Sequence, residues 1–388
     1  MFTRTLVACY ATTAAIHLAS IMLNTLLPFH VVALGGSRIQ VGLMFSVTTV
    51  VSMFLRPMVG GWVDRAGVRR VIVPGIAALA GTSLALHGAA SPVAVIALMA
   101  GIGVSNGLVS TAASVMAARG SAAEHRGETL SVYYLASSLA VAAAPPLAFG
   151  LRHVGGMPLA FVTVTLLAGL MTLLARSFPA AATPPVAGAP PGVRLWSRHA
   201  APASGALILA TMGHSSIYAF LPLYAVGQGQ GRAVAWFFAV YPLWLIGCRA
   251  LLRGVSDRVG RARVVAPAMG FVAAAFFVLA LRPTPVSLVA AAVLMGTGNS
   301  MLYPTLAALV VDRAPEPERG LALGTLSGAW DLGVVLGSAL VGFVADRVSY
   351  SAGFAVAGAT GVVGLSTFIR TERRRDRLAV SSAPDPTV

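Results

Sequence analysis

Long apolar runs dominate this chain, and short arginine-rich segments separate them. A run needs about 20 mostly apolar residues to cross a bilayer as a helix. Twelve runs are long enough, and none shows the short alternating segments of a membrane barrel. Their approximate bounds are 5–34, 41–62, 71–90, 92–118, 127–150, 157–177, 202–227, 233–255, 264–281, 285–311, 320–344 and 351–370. The pattern predicts an all-α membrane protein with 12 transmembrane helices.

The runs divide into two sets of six, which predicts two six-helix bundles over residues 1–177 and 202–370. Residues 178–201 are rich in Pro, Ala and Gly, as expected for a linker. Residues 371–388 begin with a basic segment and end in small polar residues, which indicates a disordered tail.

Composition supports the membrane class, because 57% of residues are hydrophobic and 10% are charged, against about 25% charged in soluble domains. The net charge is +15, and all 27 basic residues counted in it are arginines, against 12 acidic residues. A nucleic-acid interface is excluded, since these arginines lie between apolar runs without interleaved aromatic residues. Most of them lie at the termini and after the even-numbered runs, so the positive-inside rule predicts that both termini are cytoplasmic.

One segment occurs twice along the chain. Arg56, Asp64, Arg65 and Gly67 recur as Arg249, Asp257, Arg258 and Gly260, with an offset of 193 residues (257 − 64). Other matches in the same order are Leu27-Pro28 with Leu221-Pro222, Arg126-Gly127 with Arg319-Gly320, and Gly101-x-Gly103 with Gly296-x-Gly298. A duplicated, almost wholly apolar half is typical of transporters built from two repeats.

The turn after run 2 resembles the signature loop of the major facilitator superfamily. The residues that carry the resemblance are Gly60, Asp64, Arg65, Gly67, Arg69 and Arg70, with Asp257, Arg258, Gly260 and Arg261 in the second copy. Val68 and Arg253 depart from the family pattern. The stretch L-P-F-H-V-V-A-L-G-G-S-R-I-Q-V-G-L from Leu27, followed by R-P-M-V-G-G from Arg56, looks like bacterial efflux permeases of the sugar, drug or metallophore exporter type. The resemblance implies two bundles related by pseudo-two-fold symmetry in the inner membrane. It also implies that Asp64 docks near Gly320 as a gate; an ordinary charged turn is the alternative.

Charged residues inside the spans are candidates for coupling, because an ionisable group at this depth is costly unless it is paired or hydrated. Asp331 lies about 16 Å into run 11 and Arg56 about 12 Å into run 2, at 1.5 Å per residue. The resemblance implies that these two runs meet, so Arg56 and Asp331 are expected to pair in one state and to separate in another. A permanent ion pair, or a snorkelling arginine, is the alternative. Arg249 is expected to be a structural or gating cation, with a role as substrate ligand as the other interpretation.

The family fold also implies a cavity lined mainly by runs 1, 4, 7 and 10. The candidate cavity residues are His17, Asn24, Asn106, Ser110, Tyr133, His214, Tyr218, Asn299, Tyr303 and Trp330. Such polar residues also bond to neighbouring helices, and aromatic residues also anchor at interfaces. No metal site is expected, because the histidines lack partners four residues away and Cys9 and Cys248 are isolated. No cofactor motif and no catalytic motif is present.

These features predict a monomeric, non-enzymatic secondary transporter that uses protons to export a small organic molecule from the cytoplasm. Uptake of a small nutrient by symport is the alternative within transport. A receptor or assembly protein with the same fold, and a lipid-acting enzyme, are the alternatives from other classes.

Overall fold

The computed structural model describes residues 4–119, 126–178, 196–252, 254–315 and 318–381. Within these residues the secondary structure is helical and no β-strand occurs. The α-helices are α1 (Arg4–Ala33), α2 (Arg38–Ala66), α3 (Val68–Ala85), α4 (Pro92–Ser105), α5 (Thr111–Arg119), α6 (Arg126–Leu174), α7 (Ala201–Thr211), α8 (His214–Ala219), α9 (Leu221–Gly227), α10 (Val234–Leu251), α11 (Val255–Val259), α12 (Arg261–Ala280), α13 (Pro285–Arg313), α14 (Arg319–Arg347) and α15 (Tyr350–Ser381).

Ten described helices are long and apolar enough to cross a membrane, or eleven when the bent unit from α7 to α9 is taken as one span. One of the ten covers 43 residues, Leu135–Ser177, and contains two non-helical glycines, Gly155 and Gly156. The predicted loop between runs 5 and 6 is therefore a sharp bend inside α6. With α6 taken as two crossings, the architecture is consistent with the predicted twelve.

Contacts between α2 and α14 define the two ends of the bundle. The backbone N–H of Arg38, at the start of α2, donates to Asp346 at the end of α14, with 3.1 Å between N and Oδ1. One crossing precedes α2 and one follows α14, so the beginning of α1 and the end of α15 lie together at the other end. We call that end the terminal face and the Arg38 end the opposite face.

Local sequence explains where α2 begins and why the same turn occurs in both halves. Ser37 and Gln40 form a capping box that starts α2. Gly67 follows α2 with φ 86°, and Gly260 follows α11 with φ 100°. A positive φ in this range favours glycine, because glycine has no Cβ that would clash with the backbone. The matched glycines therefore make the same turn in both halves.

The two halves pack most tightly through α2 and α14 at the opposite face. A Cβ added to Gly42 would overlap the carbonyl oxygen of Ser338, and one added to Gly342 would lie 3.3 Å from the Cα of Gly42. Ser46 and Ser338 share a hydrogen bond of 2.6 Å between their hydroxyl oxygens. Small residues therefore bring the two backbones into direct contact, as is common between membrane helices.

At the terminal face, ion pairs link helices within the C-terminal half. Arg261 of α12 lies 2.8 Å from Asp312 of α13, and Arg313 of α13 pairs through both terminal nitrogens with Glu372 of α15. The backbone N–H of Ser197 donates to Thr325 of α14 at 2.8 Å. These contacts hold α12 to α15, together with the residues just before α7, as one unit.

The structure changes two details of the sequence interpretation. Gly103 packs on the carbonyl of Thr48 and Gly296 on that of Tyr241, and both pairs are separated by 193 residues (296 − 103 and 241 − 48). The repeat therefore matches Gly103 with Gly296, rather than Gly101-x-Gly103 with Gly296-x-Gly298. The first part of the predicted disordered tail is helical, since α15 continues to Ser381; residues 382–388 lie outside the described chain, as does most of the predicted linker.

Candidate functional site

Arg56 of α2 and Asp331 of α14 form an ion pair that joins the two halves. Nη1 of Arg56 lies 2.7 Å from Oδ2 of Asp331. Asp331 lies twelve residues after the first residue of α14, which places it roughly 18 Å along that helix. A carboxylate at this depth is costly to ionise without a partner, so Arg56 stabilises its charged form. The predicted partners are therefore in contact in this structure, whereas their coupling role remains a prediction.

The Arg56 side chain points away from the membrane-facing side of α2. Phe54, Met58 and Trp62 are exposed at four-residue spacing, which marks the side of the helix that faces lipid. Arg56 follows Phe54 by two residues, which is about 200° around an α-helix. Its guanidinium therefore lies on the side that faces the other half of the molecule.

A cleft separates α2 from α14 on the terminal-face side of this ion pair. Gly324 and Gly328 lie at helical spacing on the same side of α14 as Asp331. Among the described residues, no atom beyond the neighbouring backbone of α14 lies within 4 Å of a Cβ added to either glycine. At the opposite face, the same side of α14 touches α2 directly. The interface between α2 and α14 is therefore closed on the opposite-face side of the ion pair and open on its terminal-face side.

Aromatic side chains pack together around Trp330, the residue that precedes Asp331 in α14. The Trp330 ring lies 5.0 Å from that of His214 and 5.6 Å from that of Tyr303, both in edge-on geometry. The hydroxyls of Tyr303 and Ser327 are 2.7 Å apart. We use the name central cluster for Arg56, His214, Tyr303, Trp330 and Asp331, which α2, α8, α13 and α14 contribute.

His17 of α1 lies near the central cluster, because it interacts electrostatically with Arg56. Its Nδ1 is 2.8 Å from the carbonyl oxygen of Thr13. A carbonyl can only accept, so Nδ1 carries the proton and Nε2 is the acceptor in the neutral ring. Asn24, two turns further along α1, has a buried Oδ1 without a hydrogen-bond partner among the described residues.

The predicted cavity residues of run 4 lie on a π turn, Asn106–Ser110, between α4 and α5. Ser20 of α1 donates to Oδ1 of Asn106 at 2.8 Å, and the Tyr133 hydroxyl of α6 donates to the carbonyl of Ser110 at 2.9 Å. Neighbouring helices thus hold the irregular turn on both sides. Such π turns frequently occur at functional sites.

Some of the predicted cavity residues of the C-terminal half belong to the central cluster, and the others lie outside it. Asn299 of α13 is buried and donates to the hydroxyl of Tyr241 at 3.1 Å, which matches the alternative of interhelical bonding. Tyr218 packs against Phe238 with ring centroids 5.7 Å apart. Arg249 is exposed near the end of α10 and interacts electrostatically with Tyr241.

The signature turns are described in part. Arg65, Arg70 and Arg258 are exposed, Arg69 is half-buried, and Arg261 makes the ion pair with Asp312 described above. The side chains of Asp64 and Asp257 and the surroundings of Gly60 lie outside the described residues. The docking of Asp64 near Gly320 therefore remains a prediction.

The contact between Ser46 and Ser338 was not identified from the sequence, although it joins the halves directly. Its signal is a set of small residues at four-residue spacing on each helix: Gly42 and Ser46 on α2, and Ser338 and Gly342 on α14. Among the described residues, no group of three or more His, Cys, Asp or Glu side chains could hold a metal ion.

Comparison with known proteins finds the same family along the chain. A family model with the description Major Facilitator Superfamily matches residues 9–281 and residues 203–387. An uncharacterized MFS-type transporter of Burkholderia pseudomallei is 27% identical over 358 residues, which cover 90% of this chain and 87% of that protein.

Solved structures share the fold at low sequence identity. A peptide transporter, POT, in complex with sulfate has a TM-score of 0.81 and 15% identity, with 97% of this chain and 96% of that chain covered. The human organic anion transporter MFSD10 (TETRAN) has a TM-score of 0.64 and 19% identity, with 94% and 99% covered. At these identities the likeness shows the fold alone.

Proposed function

Since the chain belongs to the major facilitator superfamily, we propose that it is a proton-coupled secondary transporter that moves a small organic molecule across the bacterial inner membrane by alternating access. The ion pair between Arg56 and the buried Asp331 is the observation that carries this proposal. The pair lies where the closed and the open parts of the α2–α14 interface meet, so movement of the two halves acts on it directly.

A proton is a suitable trigger at this position. Protonation of Asp331 removes one charge of the pair and with it most of the attraction that holds α2 to α14 at this depth. The contacts of Gly42 and Ser46 with Ser338 and Gly342 at the opposite face are then the main attraction left between α2 and α14. Binding and release of a proton would therefore change the relative free energies of the two access states.

The arrangement of arginines supports a cytoplasmic terminal face. Arg65, Arg70, Arg258 and Arg261 all belong to turns at that face, as expected from the positive-inside rule. The cleft in this structure would then open to the cytoplasm. Each chain contains both halves of the cleft, which supports function as a monomer in the bilayer.

The sequence resemblance favours export in exchange for protons. Uptake together with a proton is the second candidate, and the exposure of Arg56 favours it. An accessible cation beside a carboxyl that accepts a proton can bind an anion and a proton at the same time. A non-transporting receptor is less well supported, because among the described residues α2 and α14 are in close contact at the opposite face and apart towards the terminal face.

Transport can be tested in proteoliposomes that contain a pH-sensitive dye. We expect particular members of a panel of organic acids, amines and neutral compounds to drive proton movement in liposomes with protein and not in empty liposomes. Outward or inward proton flux upon addition of substrate distinguishes exchange from cotransport. Compound movement that is independent of the pH gradient, and is unchanged by Asp331→Asn, would contradict proton coupling.

A further inference from the structure

The two members of the central ion pair differ in their access to solvent. The Asp331 side chain is 9% exposed, and the Arg56 side chain is 41% exposed. The carboxylate therefore lies behind the guanidinium, which faces the cleft. A molecule that enters the cleft from the terminal face meets a positive charge first.

Arg56 also keeps hydrogen-bonding capacity for a ligand. A guanidinium has five N–H donors in a planar fork. The hydrogen bond recorded for Arg56 among the described residues uses Nη1 alone, towards Asp331. Asp331 holds the side chain in place from behind, so binding requires little reordering of the arginine. A planar ionised group such as a carboxylate can accept two parallel hydrogen bonds from such a fork.

The rest of the central cluster suits an apolar or aromatic body. Trp330 directly precedes Asp331 in the sequence, and its ring packs edge-on against the rings of His214 and Tyr303. Aromatic faces and edges bury planar apolar groups well. The cluster therefore combines one accessible cation with an aromatic group on the residue next to its carboxylate partner.

We propose that the substrate is a small organic anion, whose carboxylate binds the guanidinium of Arg56 while its apolar body lies against Trp330, His214 and Tyr303. This proposal rests on the transport function proposed above and names its substrate class. An organic cation is disfavoured, because the carboxylate that would bind it is buried behind Arg56.

Anion and proton then help each other to bind, which fits cotransport, the second candidate above, rather than exchange. A substrate carboxylate on Arg56 lies close to Asp331, and protonation of Asp331 removes the repulsion between the two acidic groups. Among the described residues, Arg56 from α2 is the charged group paired with Asp331. The nearest other titratable groups are His214 from α8 and Tyr303 from α13, which contact the ring of the neighbouring Trp330, and His17 of α1, which interacts electrostatically with Arg56. The parts of α7 and α15 that pack on α14 carry no titratable residue between Ala201 and Thr211 or between Ser351 and Ile369.

The test uses the full-length protein in detergent and three ligands of matched shape: 3-phenylpropionate, 3-phenylpropionamide and 3-phenylpropylamine. Thermal unfolding followed by intrinsic fluorescence reports binding. We expect 3-phenylpropionate to raise the melting temperature, the amide and the amine to have no comparable effect, and the carboxylate to bind more tightly at mildly acidic pH. Arg56→Gln should weaken the carboxylate affinity roughly ten- to hundredfold.

Three further variants separate binding from folding. Arg56→Lys keeps the charge without the planar fork and should bind with intermediate affinity. Arg282→Gln, in the exposed loop after α12, removes an arginine outside the cleft and should bind as the unmodified protein does. The Asp331→Asn variant should bind the carboxylate without pH dependence. If the pH dependence persists in this variant, the titrating group is His17 or His214 instead.

The proposal is overturned if the amine stabilises the protein more than the carboxylate does, if the carboxylate has no effect, or if its effect is the same in Arg56→Gln. Transport by proteoliposomes is measured separately with the same three compounds. Gradient-driven movement of the amine or the amide, independent of Arg56, would leave the transporter function in place and reject the anion. Arg56-dependent binding of the carboxylate without movement of any of the three would support the anion site and count against transport.

Discussion

The two ends of the α2–α14 interface differ in packing although the same two helices form both. A Cβ added to Gly342, at the opposite face, would lie 3.3 Å from the Cα of Gly42. Gly324 lies eighteen residues earlier in α14 (342 − 324), which is five turns and places it on the same side of the helix. A Cβ added there has no atom of another described helix or loop within 4 Å. Equivalent glycines are thus in contact at one end and open at the other.

We infer from this difference that the glycines of α14 serve the two access states of the proposed transport cycle. The pair of Arg56 and Asp331 lies between the contact and the cleft. If the halves rock about this region, the open end must close when the closed end opens. Glycines without a present contact, such as Gly324 and Gly328, would then be needed in the other state.

The largest expected effect comes from locking the closed end. Ser46→Cys with Ser338→Cys places two thiols where the hydroxyl oxygens are 2.6 Å apart, close enough for a disulfide. In a background without Cys9 and Cys248, oxidation should reduce transport to the level of empty liposomes, and a reducing agent should restore it. Each single cysteine variant is the control. Full transport by the cross-linked protein would show that this contact does not open.

The next largest effect is expected at the ion pair. Asp331→Asn leaves Arg56 without its charged partner and removes the carboxyl group that is proposed to bind the proton, so we expect coupled transport to fall at least about tenfold. The double variant Arg56→Gln with Asp331→Asn should recover thermal stability relative to Arg56→Gln alone, because no carboxylate is left buried and unpaired. It should not recover coupling. Equal stability of the single and double variants would argue against a paired contribution.

A matched pair of glycine substitutions compares the two ends directly. Gly42→Leu forces a side chain against the backbone of Ser338, and we expect a loss of about 1–3 kcal/mol in stability. Gly324→Leu enters open space and should unfold at a similar or higher temperature, while transport falls because the cleft cannot close. Thermal unfolding and transport are measured on both. Equal destabilisation by the two would contradict the asymmetry.

The smallest effect is expected at the rim of the closed end. Asp346→Asn retains an oxygen that accepts from the backbone N–H of Arg38, so only the charge is lost. Exposed charges contribute about 0–1 kcal/mol. Arg38 also packs over the ring of Tyr350 at 4.4 Å, which is unaffected. We expect a change in melting temperature near the limit of measurement; a large loss would identify this rim contact as part of the gate.

Sequence patterns anticipated much of the fold and part of the site. The run at 41–62 corresponds to α2, Arg38–Ala66, because twenty apolar residues are stable in lipid only as a helix. The break of the span from α7 to α9 was not predicted, although Pro222 lies next to it, because apolar composition continues through the 50° bend. The π turn at Asn106–Ser110 was also missed, since hydrogen bonds from Ser20 and Tyr133, which are distant in sequence, hold that segment.

The sequence by itself determined the apolar spans, the repeat and its turning glycines at 67 and 260, because transfer into lipid and positive φ are properties of short segments. The tertiary structure alone decided which end of the α2–α14 interface is closed and that Arg56, rather than Asp331, faces the cleft. These two residues are 275 positions apart in the chain. Their exposure depends on how the two bundles lie against each other, which no local pattern of residues records.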